Sequence, residues 1–224
     1  DWQNEVPFGE DLFKQITDPY RRLRNTLRIL LANLKGYEGA RPAQIEPLDA
    51  WILERLNALI RDVRAAYEAF DFRKVFTSVN QFCTNELSAL YIDITKDSLY
   101  CDAADAPRRV SKQYALSRIF DALVKLLAPV LVYTCEEAWE HAGHSDSVHE
   151  QDFPEADPAA DAGLSATFVR LQQIKSVIQI AIEAQIKAKA FSKNNEAVVR
   201  LCIPESEDPA VVALLENKDF AKEF

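Results

Sequence analysis

The chain has no methionine, five glycines and three histidines in 224 residues, and nowhere eighteen consecutive apolar residues. The missing apolar run argues against a membrane-spanning helix, and the N-terminus lacks the charged, apolar and small-residue order of a secretion signal. A cytoplasmic protein is expected. Four cysteines (Cys83, Cys101, Cys135, Cys202) include no Cys-x-x-Cys pair, so neither a zinc knuckle nor a disulfide framework is signalled. With so few glycines, no Gly-x-x-x-x-Gly-Lys-Ser/Thr, Gly-x-Gly-x-x-Gly or Gly-x-Ser-x-Gly loop occurs, and no catalytic motif is visible. The start at Asp1, the lack of Met and the end at Phe224 shortly after a helical start predict a fragment of a longer protein.

What the chain does contain is helix. Tyr20, Leu23, Leu27, Leu30, Leu31 and Leu34 recur at three- and four-residue steps, which puts them on one face. Arg21, Arg24, Arg28 and Lys35 follow the same spacing, rotated from that face, and Arg22 adds to them; Pro19 to Lys35 holds no acid. A net charge of −9 argues against a phosphate-rich partner only until it is located. Residues 136–161 carry nine of the 35 acids and no Lys or Arg, so the rest of the chain has as many bases as acids. Local charge is the diagnostic, and it is positive along the first helix and again near Arg108.

Asp18-Pro19 reads as an N-cap and first-turn proline opening the Tyr20 to Leu34 helix. Leu48 to Phe70 has helical periodicity, Asp71 caps a third helix reaching Tyr100, and a fourth runs to a break at Pro129. Thr134 and Glu137 match a capping box for a short helix through Trp139. Leu164 to Ala190 is a long helix with Phe168, Leu171, Ile174, Ile178, Ile182 and Ile186 inward, and Glu196 to Ile203 is the one strand expected. The fold expected is mainly α: an antiparallel helix bundle over 1–142, an acidic linker over 143–163, and a long helix beginning a small α+β appendage over 164–224.

His141, His144 and His149 lie within nine residues, yet in a flexible-looking acidic loop without fixed ligand spacing. Packing or solvated roles are expected, and no metal. Glu136 and Glu137, adjacent on a helix, point about 100° apart, which suits structural roles better than paired acid–base chemistry. The basic stripes remain. Arg21, Arg22, Arg24 and Arg28 are candidate phosphate contacts, against a solvated rim or ion pairs to neighbouring helices. Asn25 and Asn33, unfavourable inside a helix, point to specific hydrogen bonds. Arg108, Arg109 and Lys112 cluster at a helix start, where the dipole adds positive potential.

Tyr20 to Leu34 resembles the Tyr-Arg-Arg-Ile-Arg-Asn-Thr-x-Arg-Phe-Leu-Leu-x-Asn-Leu segment that opens the anticodon-binding domain of isoleucyl-tRNA synthetases. Leu48-Asp49-x-Trp51, the Phe82 to Tyr100 run with Glu86-Leu87-Ser88-Ala89-x-Tyr91-Ile92-Asp93-Ile94-x-Lys96-Asp97, Leu127 to Trp139 and Ser147 to Pro154 also resemble that family in order and spacing. The likeness reaches from Asp1 to about Ile203; one departure is Phe191-Ser192-Lys193-Asn194-Asn195-Glu196, where the family often has Ile-Gly-x-Ser-Leu-Glu. It implies a bundle that grips the anticodon stem and loop of isoleucine tRNA while a separate domain of the parent chain performs ATP-dependent charging. Lys96 then joins Arg21, Arg22, Arg24, Asn25, Arg28, Arg108, Arg109 and Lys112 as a candidate tRNA contact. The implied partners are that tRNA and the catalytic and editing domains of the parent. The fragment itself needs no cofactor; ATP, and a four-cysteine zinc module of relatives that would lie past residue 224, belong to the parent. The catalytic His-x-Gly-His and Lys-Met-Ser-Lys-Ser type signatures are absent, so the fragment is expected to bind without catalysing.

Three other readings stay open at this point. Valyl-, leucyl- and methionyl-tRNA synthetases share the architecture. The basic stripe could dock an acidic protein surface or brace the catalytic body. A metal-dependent hydrolase on the histidine loop is the weakest.

Overall fold

The leucine stripe of the basic helix is buried as its spacing requires. Leu23, Leu27 and Leu30 are all but removed from solvent in α1 (Glu10–Asn33). The computed structural model describes residues 9–160, 163–193 and 196–224, which fall into two compact units dividing after Ala162. Asp1, Asp161, Asn194 and Asn195, named above, lie outside the described residues.

In the first unit α1 is followed by α2 (Pro47–Glu68), α3 (Phe72–Gln81), a π-helical stretch (Phe82–Ile92) running directly into α4 (Asp93–Cys101), α5 (Pro107–Leu127) and α6 (Val132–His141). Cross-helix hydrogen bonds fix their directions. Gln113 Nε2 donates to the Asn33 carbonyl at 2.9 Å, joining the end of α1 to the first half of α5. The Glu46 N–H donates to Ser111 Oγ at 3.1 Å and Tyr67 Oη to the Leu126 carbonyl at 2.7 Å, so α2 and α5 run the same way. Up-down-up-down order produces this relation between alternate helices.

Asp71 caps α3 as expected, accepting from the Lys74 N–H at 2.9 Å. Within the π-helical stretch Cys83, Leu87 and Tyr91 are buried. The three follow one another at four-residue steps, which put neighbours on one side of a helix. Tyr91 Oη donates to Asp49 Oδ1 at 2.7 Å and Ser111 Oγ to Asp49 Oδ2 at 2.5 Å, with Asp49 at 0% exposure. One carboxyl group in the first turn of α2 thereby ties together α2, the π-helical stretch and α5. The Leu48-Asp49-x-Trp51 and Tyr91 motifs meet here as structure.

Three local expectations are corrected. α1 begins at Glu10, and Pro19 sits inside it; Glu10 and Asp11 favour that earlier start through the dipole, and proline removes only one intrahelical donor. No capping box forms at Thr134, because α6 begins at Val132; Thr134 instead shares a 3.1 Å hydrogen bond with Tyr20 Oη. No strand forms at Glu196 to Ile203 among the described residues. Val198 is 99% exposed there, since β-propensity without a neighbouring ladder gives no sheet.

The acidic stretch lies against the first unit. Asn57 donates to the Asp157 carbonyl at 2.6 Å and accepts from its N–H at 3.0 Å, Arg64 donates to the Pro154 carbonyl at 3.1 Å, and Phe153 stacks on Tyr67 at 5.1 Å. The second unit holds α7 (Ser165–Lys187), α8 (Pro209–Glu216) and α9 (Lys218–Glu223). Its core joins Phe168, Leu171, Val211 and Phe220. Of the α7 positions expected inward, Phe168 and Leu171 are buried, while Ile174, Ile178, Ile182 and Ile186 are only half-buried.

Candidate functional site

α1 places Arg21, Arg24, Asn25 and Arg28 on one exposed face, as steps of three and four residues dictate. Their states differ. Arg24 lies across α6 and grips Glu137 with both terminal nitrogens, at 2.6 and 2.9 Å. This pair holds the Arg24 guanidinium well above its ordinary value and the Glu137 carboxyl below the usual carboxylate range. Arg21 stands 3.9 Å from Asp18 with both side chains largely in solvent. Arg22, Asn25, Arg28 and, past the helix end, Lys35 make no side-chain ion pair or hydrogen bond among the described residues. In the expected stripe, therefore, Arg24 is committed to Glu137, Arg21 is loosely paired in solvent, and Arg22, Arg28 and Lys35 are unneutralised among the described residues.

A depressed carboxyl contributes stability above its unfolded pKa and loses it as pH falls through the folded one. The Glu137→Gln variant is accordingly expected to melt below the wild type at neutral pH. That difference should close as pH falls below the ordinary carboxylate value of 4.5. Thermal melts at stepped pH check this; a gap independent of pH would mean that Glu137 acts by shape alone.

Beside the stripe run two connected grooves. One, of about 190 Å³, lies between α1 and α6 and is lined by Arg24, Leu27, Arg28, Leu31, Glu137 and His141. The other, of about 900 Å³, shares Arg28, Leu31 and His141 and continues past Lys35 and Tyr37 to Trp139 and His144. His144 stacks on the Trp139 indole at 3.6 Å and 7°, with Lys125 Nζ 5.4 Å from the indole centroid. The grooves thus combine unpaired cations, apolar floor and a stacked ring pair, the components that hold a phosphate backbone and a base.

The second basic cluster is organised differently. Arg108 forks onto the Asp102 carboxylate at 3.0 and 3.2 Å, and Arg109 donates to the Asp102 carbonyl at 2.8 Å. An anion of the chain already sits where phosphate was expected. Lys96 pairs with Asp93 at 2.9 Å. Lys112 is at 0% exposure and cannot reach an external phosphate, because its position on α5 faces the bundle interior. Counting about 1.5 Å per helical residue from the Asn33–Gln113 contact, the Arg108 cluster lies on the order of 20 Å from Arg24, so the structure does not bring the nine candidates into one site.

The histidines also separate. His144 stacks on Trp139, His149 Nε2 lies 4.0 Å from Glu136 and 3.3 Å from the Val132 carbonyl, and His141 lines the α1–α6 groove. Among the described residues no group of three or more metal-ligating side chains gathers. Glu136 accepts from Ser147 Oγ and the Val148 N–H, both at 3.0 Å, and so has a structural role. Cys83 and Cys135 are buried thiols pushed up to about 12 by burial, a poor setting for nucleophilic chemistry. The sequence reading missed the groove and its Trp139–His144 stack. The aromatic residue at 139 was visible, but nothing in the sequence paired it with a loop histidine.

Comparison with known proteins gives a family for the chain. The family described as the anticodon-binding domain of tRNA ligase matches residues 49–201. An isoleucine–tRNA ligase of Methylacidiphilum infernorum is 36% identical over 219 residues, covering 95% of this chain and 24% of that protein. One of Ruegeria pomeroyi is 36% identical over 227 residues, covering 98% and 23%, and one of Listeria innocua 34% over 231 residues, covering 100% and 25%. The chain spans about a quarter of the length of these relatives.

Proposed function

The chain belongs to the anticodon-binding domain family of tRNA ligases, and from that membership we propose that it is the tRNA-gripping part of an isoleucine–tRNA ligase. The observation that carries the reading is the two unpaired cations Arg28 and Lys35 that line the grooves beside α1, with Arg22 a further unpaired cation on another side of the same helix. Arg21 joins them, and Asn25 offers a hydrogen-bonding side chain between the arginines. In this reading the anticodon stem and loop lies along α1, phosphates against the cations and an unstacked base against the groove. Arg24 contributes by holding α6 in place. Activation of isoleucine with ATP, its transfer to tRNA and its editing fall to other parts of the parent protein, which is expected in the cytoplasm. The chain carries no motif for those steps.

Affinity for isoleucine tRNA, measured by fluorescence anisotropy across salt concentration, tests the reading. Three or four neutralised phosphates predict a slope of log K against log salt of about −2 to −4. A slope near zero would sink the phosphate model. A tRNA of the same body with a changed anticodon is expected to bind more weakly; equal binding would limit the contact to the backbone and remove the isoleucine assignment.

A further inference from the structure

Away from α1, a second cavity of about 270 Å³ opens between α2 and α5 in the first unit, and nothing above uses it. Its floor is apolar, formed by Leu53, Leu56 and Ile60 of α2 and Ala122 of α5, and Tyr114 stands at its wall. Pro154 to Ala160 crosses one side. That strap is tethered by the paired Asn57–Asp157 hydrogen bonds and by Arg64 on the Pro154 carbonyl, so the cavity is already formed in the unliganded chain. Preformed pockets with an apolar lining and a few convergent polar groups are typical small-ligand sites.

The charges on the rim determine the ligand. Asp121 is paired with Lys125 at 2.8 Å. The Glu155 side chain is 87% exposed and lies 3.9 Å from Arg64. Asp157 is held through its backbone by Asn57, and its carboxylate is a third acid on the lining. Arg41 and Arg118, both exposed, form no ion pair or hydrogen bond among the described residues. Two uncommitted guanidiniums therefore flank an apolar floor. Guanidinium forks match planar carboxylate and tetrahedral phosphate oxygens. We propose that this cleft binds a small organic anion, a carboxylate or phosphate carried on a compact apolar body, whose charged head meets Arg41 and Arg118 while its body covers Leu53, Leu56 and Ile60. The cleft shares only Asp121 with the groove beside α1, and the proposal stands whether or not the α1 face binds tRNA.

Calorimetric titration of the full chain with phenyl phosphate, benzoate, inorganic phosphate and phenol tests it. Phenyl phosphate or benzoate is expected to bind with a Kd of about 1 mM or tighter. Inorganic phosphate, lacking the apolar body, and phenol, lacking the charge, should each bind about tenfold weaker or less well still. Arg41→Ala and Arg118→Ala should each weaken the organic anion about tenfold. Both side chains are exposed, so the variants should keep wild-type melting behaviour. Ala122→Leu, which fills the cavity, should abolish binding. The proposal is overturned if neither organic anion binds at about 10 mM, if inorganic phosphate binds as well as phenyl phosphate, or if the two arginine variants bind unchanged.

Discussion

Replacing Arg22 and Arg28 together by glutamate is expected to lower the affinity for isoleucine tRNA about 100-fold or more at low salt, with the fold unchanged. Each arginine is exposed and without an intramolecular side-chain partner among the described residues, so reversal removes no native contact. A charge-assisted contact to phosphate is worth roughly tenfold in affinity, and a glutamate in its place adds repulsion. The salt slope should fall by about 2 in the same variant, because two counterion-releasing contacts are lost. Arg24→Glu makes the necessary contrast. It would set two carboxylates against each other at the α1–α6 contact, where Arg24 now meets Glu137 at 2.6 Å, and should lower the melting temperature as well as tRNA affinity. If the Arg22/Arg28 variant bound tRNA normally while staying folded, these cations would have to face a protein surface instead.

The contrast between Arg24 and Arg28 also marks how far the sequence could be read. Both follow the same helical spacing, so periodicity assigns both to the exposed face and the structure agrees. Their difference arises from Glu137, which is 113 residues away, and no local pattern carries that pairing. Lys112 fails for a related reason: it shares a helix face with Arg108 and Arg109, but one turn further along α5 that face is covered by the bundle, and Lys112 is at 0% exposure. The helices themselves were legible because leucine and aromatic spacing over many turns sums to a strong signal. Their ends were less so. Pro19 reads locally as a first-turn residue, and only the acids at Glu10 and Asp11 and the apolar Phe13 and Ile16 extend the helix upstream. The Glu196 to Ile203 run has strand-forming residues, yet a strand is a property of two segments, and the described residues supply no second one.

Removing the Asp49 side chain is expected to give the largest loss of stability of any single substitution considered, about 3–5 kcal/mol for Asp49→Ala. Asp49 is fully buried in the first turn of α2, where the helix dipole favours an acid. Its two oxygens accept from Tyr91 and Ser111, and Ser111 in turn accepts from the Glu46 N–H. Alanine would leave two buried hydroxyls without their acceptor and a void among three packed elements, and each unsatisfied donor costs about 1–3 kcal/mol. Tyr91→Phe removes one donor and leaves the acceptor bonded to Ser111, so its cost should be smaller, about 1–2 kcal/mol. Coupling between the two, read from the double variant, should be favourable because they share one hydrogen bond. Urea unfolding followed by tryptophan fluorescence can resolve these effects, since Trp51 and Trp139 are both buried in the first unit and Trp51 lies two residues from Asp49. A loss below about 1 kcal/mol for Asp49→Ala would mean that the surroundings can satisfy Tyr91 and Ser111 without the carboxyl group. A loss in the expected range would make Asp49 the residue that fixes α2, the π-helical stretch and α5 relative to one another, and through α5 and Gln113 the far end of the α1 face on which the cations stand.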